Sequence, residues 1–289
     1  MSLGPSELIL NADGSIYHLN LLPQDIAETI ITVGDPDRVS DVSKYFDTIE
    51  LKKGKREFIT HTGMLQDKRI SVISTGIGTD NIDIVLNELD ALANVDFNSR
   101  TLKKNHIRMK LVRIGTSGSI QAEIPVDSFL ISEYAMGFDG LLHFYDSKKV
   151  QETAISEAFV AQTNWGAEKT LPYVVKADKE LCESMYSNHI RLGLTATSSG
   201  FYGPQGRKIR LSIPDGDLIG KMASFEFKGR RISNLEMETA GIYGLAKLLG
   251  HQAISMNCIL ANRITGEFSS NPSKSVDNLI KYTLEKLTQ

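Results

Sequence analysis

The 289-residue chain has only two cysteines, Cys182 and Cys258, far apart in sequence. So sparse a pair excludes a disulfide framework and fits a reducing compartment, so a cytoplasmic location is expected. Cys258 lies in an apolar stretch and reads as an inert core residue. No apolar run reaches membrane-spanning length, which excludes a transmembrane helix. The start has no charged segment followed by an apolar one, so no signal peptide is expected. The six histidines (His18, His61, His106, His143, His189 and His251) show no metal-ligand spacing with each other or with cysteine. Basic residues are dispersed, the formal net charge is -3, and Lys103-Lys104 forms only a short cluster. Nothing marks a nucleic-acid stripe. With no Pro/Gly/Ser-rich linker and no repeat period, one domain is favoured. What remains, 41% hydrophobic and 23% charged, is the composition of an ordinary globular protein.

Apolar runs bounded by glycine or polar turns recur at Thr29–Val33, Ile70–Ser74, Met109–Ile114, Ser128–Ile131, Leu192–Ala196, Ile232–Leu235 and Ala253–Leu260. Most are short and rich in Val and Ile, the mark of buried strands. Helical spacing lies between several of them, at Ile82–Leu92, Lys148–Thr163 and Gly241–Leu249. Strands alternating with helices predict an α/β layered fold with a mixed or parallel sheet. Ligands collect at the strand ends of such sheets.

The run Asn234-Leu-Glu-Met-Glu-Thr-Ala-Gly-Ile-Tyr-Gly244 carries the most chemistry. Glu236 and Glu238 stand two apart, so on a strand end both side chains leave one face. Two carboxylates there suit the adjacent hydroxyls of a ribose, since an ionised acceptor strengthens each bond. The same pair also fits an acidic turn that caps a helix. Gly34-Asp35-Pro36-Asp37-Arg38 follows an apolar strand and precedes a helix, where glycine lets backbone approach an oxyanion. Arg113 sits inside an apolar run. A buried arginine needs a partner, either a bound anion or an acidic side chain. Gln205 and Arg207 are expected to project together from an extended loop, beside the flat surface of Phe201. A glutamine amide there matches the adjacent O2 and N3–H of uracil. Ser74-Thr75-Gly76-Ile77-Gly78 lacks the G-x-G-x-x-G spacing, because Asn81 stands at the third glycine position.

These segments occur in an order that resembles the nucleoside phosphorylases of the uridine phosphorylase type. The likeness runs from about His18 to near the C-terminus, through Val33–Val39, Ser74–Gly78, Arg113–Gly118, Phe201–Arg207 and Asn234–Gly244. It implies a three-layer α/β/α domain over residues 16–289, with a central mixed, partly barrel-like sheet flanked by helices. Residues 1–15 then form an N-terminal extension. It implies phosphate held by Gly34, Arg38, Arg113 and Thr116, with Arg56 reaching across from a neighbouring subunit. The base falls to Phe201, Gln205, Arg207 and Arg263. The ribose falls to Glu236, Met237 and Glu238, with His18 of a neighbouring subunit at the 5′-hydroxyl. Arg113, Arg207 and Glu238 are the expected catalytic residues.

Arg263 stands where hexameric purine phosphorylases carry an aspartate, which favours a pyrimidine. Retention of Arg38, Arg56 and Arg113 favours phosphorolysis over hydrolysis. The implied activity is conversion of uridine and phosphate to uracil and ribose 1-phosphate, with phosphate as co-substrate and no cofactor. The implied assembly is a homodimer or a hexamer of dimers. The stretch from Ala93 to Lys110 is longer than in the bacterial hexameric enzymes. Asn81 replaces a serine that helps hold an interface potassium ion in some members, while Glu57, the other side-chain ligand there, is present. The alternatives are a phosphorylase for purines or another nucleoside, and a catalytically silent nucleoside-binding protein.

Overall fold

The computed structural model describes residues 2–289. Strand β1 (Thr29–Val33) leads into helix α1 (Asp37–Ser43) and a meander of β2 (Thr48–Lys55), β3 (Phe58–Leu65) and β4 (Lys68–Ser74). Helix α2 (Thr79–Asn94) is followed by a small hairpin, β5 (Val95–Asp96) and β6 (Thr101–Leu102). Then come β7 (Lys110–Ser119), β8 (Phe129–Gly137), α3 (Thr153–Thr163), β9 (Tyr173–Lys176), α4 (Lys179–Met185) and β10 (Ile190–Thr197). The chain continues with α5 (Leu218–Ser224), β11 (Glu226–Phe227), β12 (Arg230–Glu236), α6 (Thr239–Leu249), β13 (Gln252–Asn262) and α7 (Pro272–Thr288).

Ten strands of one sheet run β11-β12-β10-β8-β13-β7-β1-β4-β3-β2, and β9 pairs with β8 as the eleventh. Strand β1 is parallel to both β4 and β7. Strand β12 also pairs antiparallel with β7, through Asn234–Ser119 and Leu235–Gly118. That pairing closes β7, β13, β8, β10 and β12 into a ring, so the mixed sheet is barrel-like at one end and open at the other.

Side-chain alternation along β1 builds the layers. Ile30 points into a core formed with α2 and α6, and Ile31 and Val33 into a second core formed with α1, α4 and α7. Helix α2 presents Ile82, Val85, Leu86, Leu89 and Leu92 at helical spacing to the first core. Helix α6 ends at Gly250 in the left-handed conformation, φ 84.

The seven expected strands form, most of them longer at one or both ends. Strand β7 runs on through Gly115–Ser119 instead of ending before a glycine loop, because β13 pairs with it as far as Asn262. The predicted helix at 148–163 is a 3-10 turn at Lys148–Val150 followed by α3. Strands β2 and β3 escape the apolar-run criterion: β2 is exposed at alternate or more frequent positions and rich in lysine.

The long stretch after α2 folds back on the N-terminal residues. Arg100 donates to the carbonyls of Leu3 at 3.0 Å and Gly4 at 3.1 Å, and also to that of Leu8. Leu8 and Ile16 are buried in the α2–α6 core. Among the described residues, no helix is long and apolar enough to cross a membrane.

Candidate active site

A cavity of about 690 Å³ opens where β1, β4, β7 and β12 end. Its walls carry Gly34, Arg38, Arg113, Thr116, Phe201, Gln205, Arg207, Glu236, Met237 and Glu238. Ten of the residues expected in a site thus meet in one place. His18, Arg56 and Arg263 do not line it.

Arg113 is 5% exposed. Its Nη2 lies 2.6 Å from Glu238 Oε2 and 3.1 Å from Glu236 Oε2. Its Nη1 donates to Ser255 Oγ at 3.3 Å and Asn257 Oδ1 at 3.2 Å. Both carboxylates thus partner the buried Arg113. Burial works against the Arg113 charge, but Glu236 and Glu238 outweigh it and hold the guanidinium above its usual value. Gly115 makes this possible, because a Cβ there would overlap the Arg113 guanidinium.

The two carboxylates do not close one strand face as expected. Strand β12 ends at Glu236, and Glu238 is the residue before α6, with φ -135 and ψ -33. The helix-capping role open to the pair is filled by Glu236. Glu236 Oε2 accepts the backbone N–H groups of Glu238 and Thr239 at 3.0 Å each and the Thr239 hydroxyl at 2.8 Å. Its Oε1 accepts the Thr197 hydroxyl at 2.6 Å. Glu236 thus caps α6 and is saturated by the protein. Glu238 has more room: Oε1 accepts the Gly78 N–H at 2.9 Å and Oε2 faces Arg113. Burial pushes the Glu238 carboxyl above the usual carboxylate range, with Arg113 pulling it back and Glu236 adding to the rise.

Arg38 enters from the first turn of α1, directly after β1. Among the described residues no carboxylate lies within ion-pair distance of its side chain. Burial lowers its pKa; nearby Asp35 opposes that shift and Arg113 adds to it. Two guanidiniums thus face one cavity: Arg113 is buried and ion-paired, and Arg38 is half-buried, with Asp35 nearby but no carboxylate within ion-pair distance among the described residues.

On the opposite wall, Gln205 and Arg207 do not project from an extended loop. A 3-10 turn at Gly203–Gln205 ends at Gly206 with φ 65, and the Arg207 N–H donates to the Tyr202 carbonyl at 2.7 Å. The turn lets Arg207 Nη1 donate to Gln205 Oε1 at 2.6 Å and to the Phe201 carbonyl at 2.7 Å. The guanidinium lies 3.7 Å from the Phe201 ring centroid, so it covers one face of that ring. Burial, reinforced by Arg263, brings Arg207 down to about 10. Gln205 is 2% exposed, and its amide nitrogen has no partner among the described residues. Arg263 sits behind the turn and donates from Nη1 to the Gln205 carbonyl at 2.9 Å.

His18 and Arg56 come together away from these walls. Tyr17 packs edge-on against the His18 ring at 4.8 Å, and the Arg56 guanidinium carbon is 6.0 Å from the Tyr17 ring. Glu57, next in sequence, does line the cavity, and Asn81 Nδ2 donates to its Oε1 at 3.3 Å. The sequence reading missed Ser255, Asn257 and Thr197, which hold Arg113 and Glu236. Ser255 and Asn257 stand two apart in an apolar run, so they share one strand face, and that spacing was a usable signal.

Residues 28–287 match the family model described as the phosphorylase superfamily. A uridine phosphorylase of Thermococcus kodakarensis is 30% identical over 268 residues, covering 91% of this chain and 83% of that protein. A DeoD-type purine nucleoside phosphorylase of Shewanella denitrificans is 27% identical over 271 residues, covering 93% of this chain and 96% of the relative. Among solved structures, a Trypanosoma brucei nucleoside phosphorylase described as showing uridine phosphorylase activity superposes with a TM-score of 0.86 at 29% identity. It covers 97% of this chain and 99% of its own.

Proposed function

The chain belongs to the phosphorylase superfamily, and from that premise we propose that it is a uridine phosphorylase. The observation that carries the proposal is the pair of guanidiniums, Arg38 without a carboxylate and Arg113 buried, facing one cavity beside Glu238. Phosphate with its two negative charges supplies what Arg38 lacks. Gly34 and Thr116 complete its cradle. A phosphate oxygen attacks C1′ of uridine, the C1′–N1 bond breaks, and its electron pair leaves with uracil. The ribose passes through an oxocarbenium-like state, held at its hydroxyls by Glu238, with Met237 alongside and Glu236 fixing the turn that presents them. Gln205 Nε2 donates to one uracil carbonyl, its Oε1 accepts N3–H through its second lone pair, and Arg207 stabilises charge on the departing base. Positioning and electrostatics do the catalytic work, without a covalent enzyme intermediate.

His18 and Arg56 serve the site of a second copy, so the smallest active unit is a two-fold dimer, alone or within a hexamer. Glu57 offers a carboxylate to a potassium ion at that interface, while Asn81 meets that carboxylate through its amide N–H. The enzyme works in the cytoplasm. A nucleoside panel at saturating phosphate tests the substrate. Uridine should exceed cytidine and inosine by at least about 100-fold in kcat/KM, because a site built for uracil leaves its own polar groups unpaired with other bases. Comparable turnover of inosine would make this a purine enzyme, and binding of uridine without turnover would make it a binding protein.

A further inference from the structure

Glu88, on α2, lies outside the cavity, and the reaction as described gives it no task. Its carboxylate nonetheless gathers three N–H groups from one short segment. Oε1 lies 2.6 Å from His18 Nδ1, and Oε2 accepts the Leu19 backbone N–H at 2.9 Å. The His18 backbone N–H reaches both oxygens at 3.1 Å. Both ends of this contact are anchored in the core: Leu19 and Leu89 are fully buried neighbours of the two residues. Tyr17 closes the other side of the ring, and Lys55 Nζ holds the Tyr17 carbonyl at 2.6 Å.

An ionised carboxylate can only accept. Its contact with Nδ1 therefore requires the proton on Nδ1. In the neutral ring the lone pair is then on Nε2, which has no partner among the described residues. We propose that Glu88 is the positioning residue for His18: it holds the imidazole as the Nδ1–H form, so that Nε2 accepts a hydrogen bond from the 5′-hydroxyl of the nucleoside. The proposal rests on the reading of this chain as a uridine phosphorylase whose His18 meets the ribose.

Kinetics with uridine and 5′-deoxyuridine, which lacks the hydroxyl, separate positioning from a merely structural role. Glu88→Gln keeps the shape of the side chain but offers one acceptor oxygen to three donors. It should raise KM for uridine about ten-fold, the loss of one hydrogen bond, and leave kcat within about two-fold. KM for 5′-deoxyuridine should stay within about two-fold of wild type, and the Glu88→Gln/His18→Ala double variant should be no worse than His18→Ala alone. Equal losses on both substrates, or additive losses in the double variant, would overturn the proposal. Nitrogen-15 NMR of the His18 ring gives a readout that needs no turnover. The Nδ1–H form in the wild type, lost in Glu88→Gln, supports the role, and the Nε2–H form in the wild type overturns it. A wild-type protein that releases no uracil from uridine would defeat the substrate reading, and the ring spectrum then decides the positioning of His18.

Discussion

Arg38 and Arg113 meet the same cavity on unequal terms. Arg113 is neutralised by Glu236 and Glu238, while among the described residues Arg38 has no carboxylate within ion-pair distance. If Arg38 holds phosphate as proposed, alanine there removes a charge-assisted contact of roughly 1.5–3 kcal/mol, so phosphate KM should rise by about one to two orders of magnitude. Phosphate titrations of folded Arg38→Ala would show it; unchanged phosphate kinetics would remove Arg38 from the phosphate site. Glu238 gives a pH test. Its folded pKa is raised by burial, so it takes up a proton at a higher pH than a free glutamate. In the proposed site the ionised form is the acceptor for ribose, so activity should be present above the folded value and lost as pH falls through it. The acid limb of kcat/KM should therefore lie above the usual glutamate value and vanish in Glu238→Gln, which has no proton to gain. The cysteines serve as a control: burial pushes Cys182 up to about 11 and Cys258 up to about 12. Both should resist alkylation at pH 8 in the native state and react after denaturation. At this scale the charged residues that line the cavity were readable as sequence motifs. Ser255 and Asn257 offered only a shared strand face, and Thr197 offered no signal, because a lone small polar side chain at the end of an apolar strand carries meaning only once its partner is known.

The elements were readable where one period dominated. Strand β1 and the apolar face of α2 could be read directly, because burial on both faces or along one stripe leaves a plain pattern. The turn at Gly203–Gly206 could not, since its geometry depends on a glycine at φ 65 and on the hydrogen bond from Arg207 to Tyr202. The continuation of β7 through Gly115 depends on its pairing with β13, a contact more than a hundred residues away in sequence. Gly115→Ala tests this element. The added methyl meets the Arg113 guanidinium, so the ion pair with Glu236 and Glu238 must shift. Overpacking of this kind costs about 1–3 kcal/mol, and kcat/KM should fall at least about ten-fold. Calorimetry and kinetics on one preparation check both, and an unaffected Gly115→Ala enzyme would show that Arg113 has freedom the packing denies it.

For the whole molecule, layering followed from alternating strands and helices, whereas the barrel-like closure was expected only from the family resemblance. The pairing of β12 with β7 joins residues 234–235 to residues 118–119, and no local pattern announces it. The cavity walls lack His18 and Arg56, which sit together around Tyr17. If both serve a second copy, Arg56→Ala and Glu238→Ala lie on opposite sides of a shared site. Random mixing of the two inactive proteins should restore about a quarter of wild-type activity per site, because half the dimers are mixed and each carries one intact site. A fully active monomer in sedimentation, or no recovery after proven subunit exchange, would reject a shared site. The most direct measurement is uracil release from uridine as phosphate is varied from zero to saturation. Turnover that is absent without phosphate, saturates with it and yields one ribose 1-phosphate per uracil is the predicted result. Uracil released equally well without phosphate would contradict the assignment of Arg38 and Arg113 to a phosphate nucleophile.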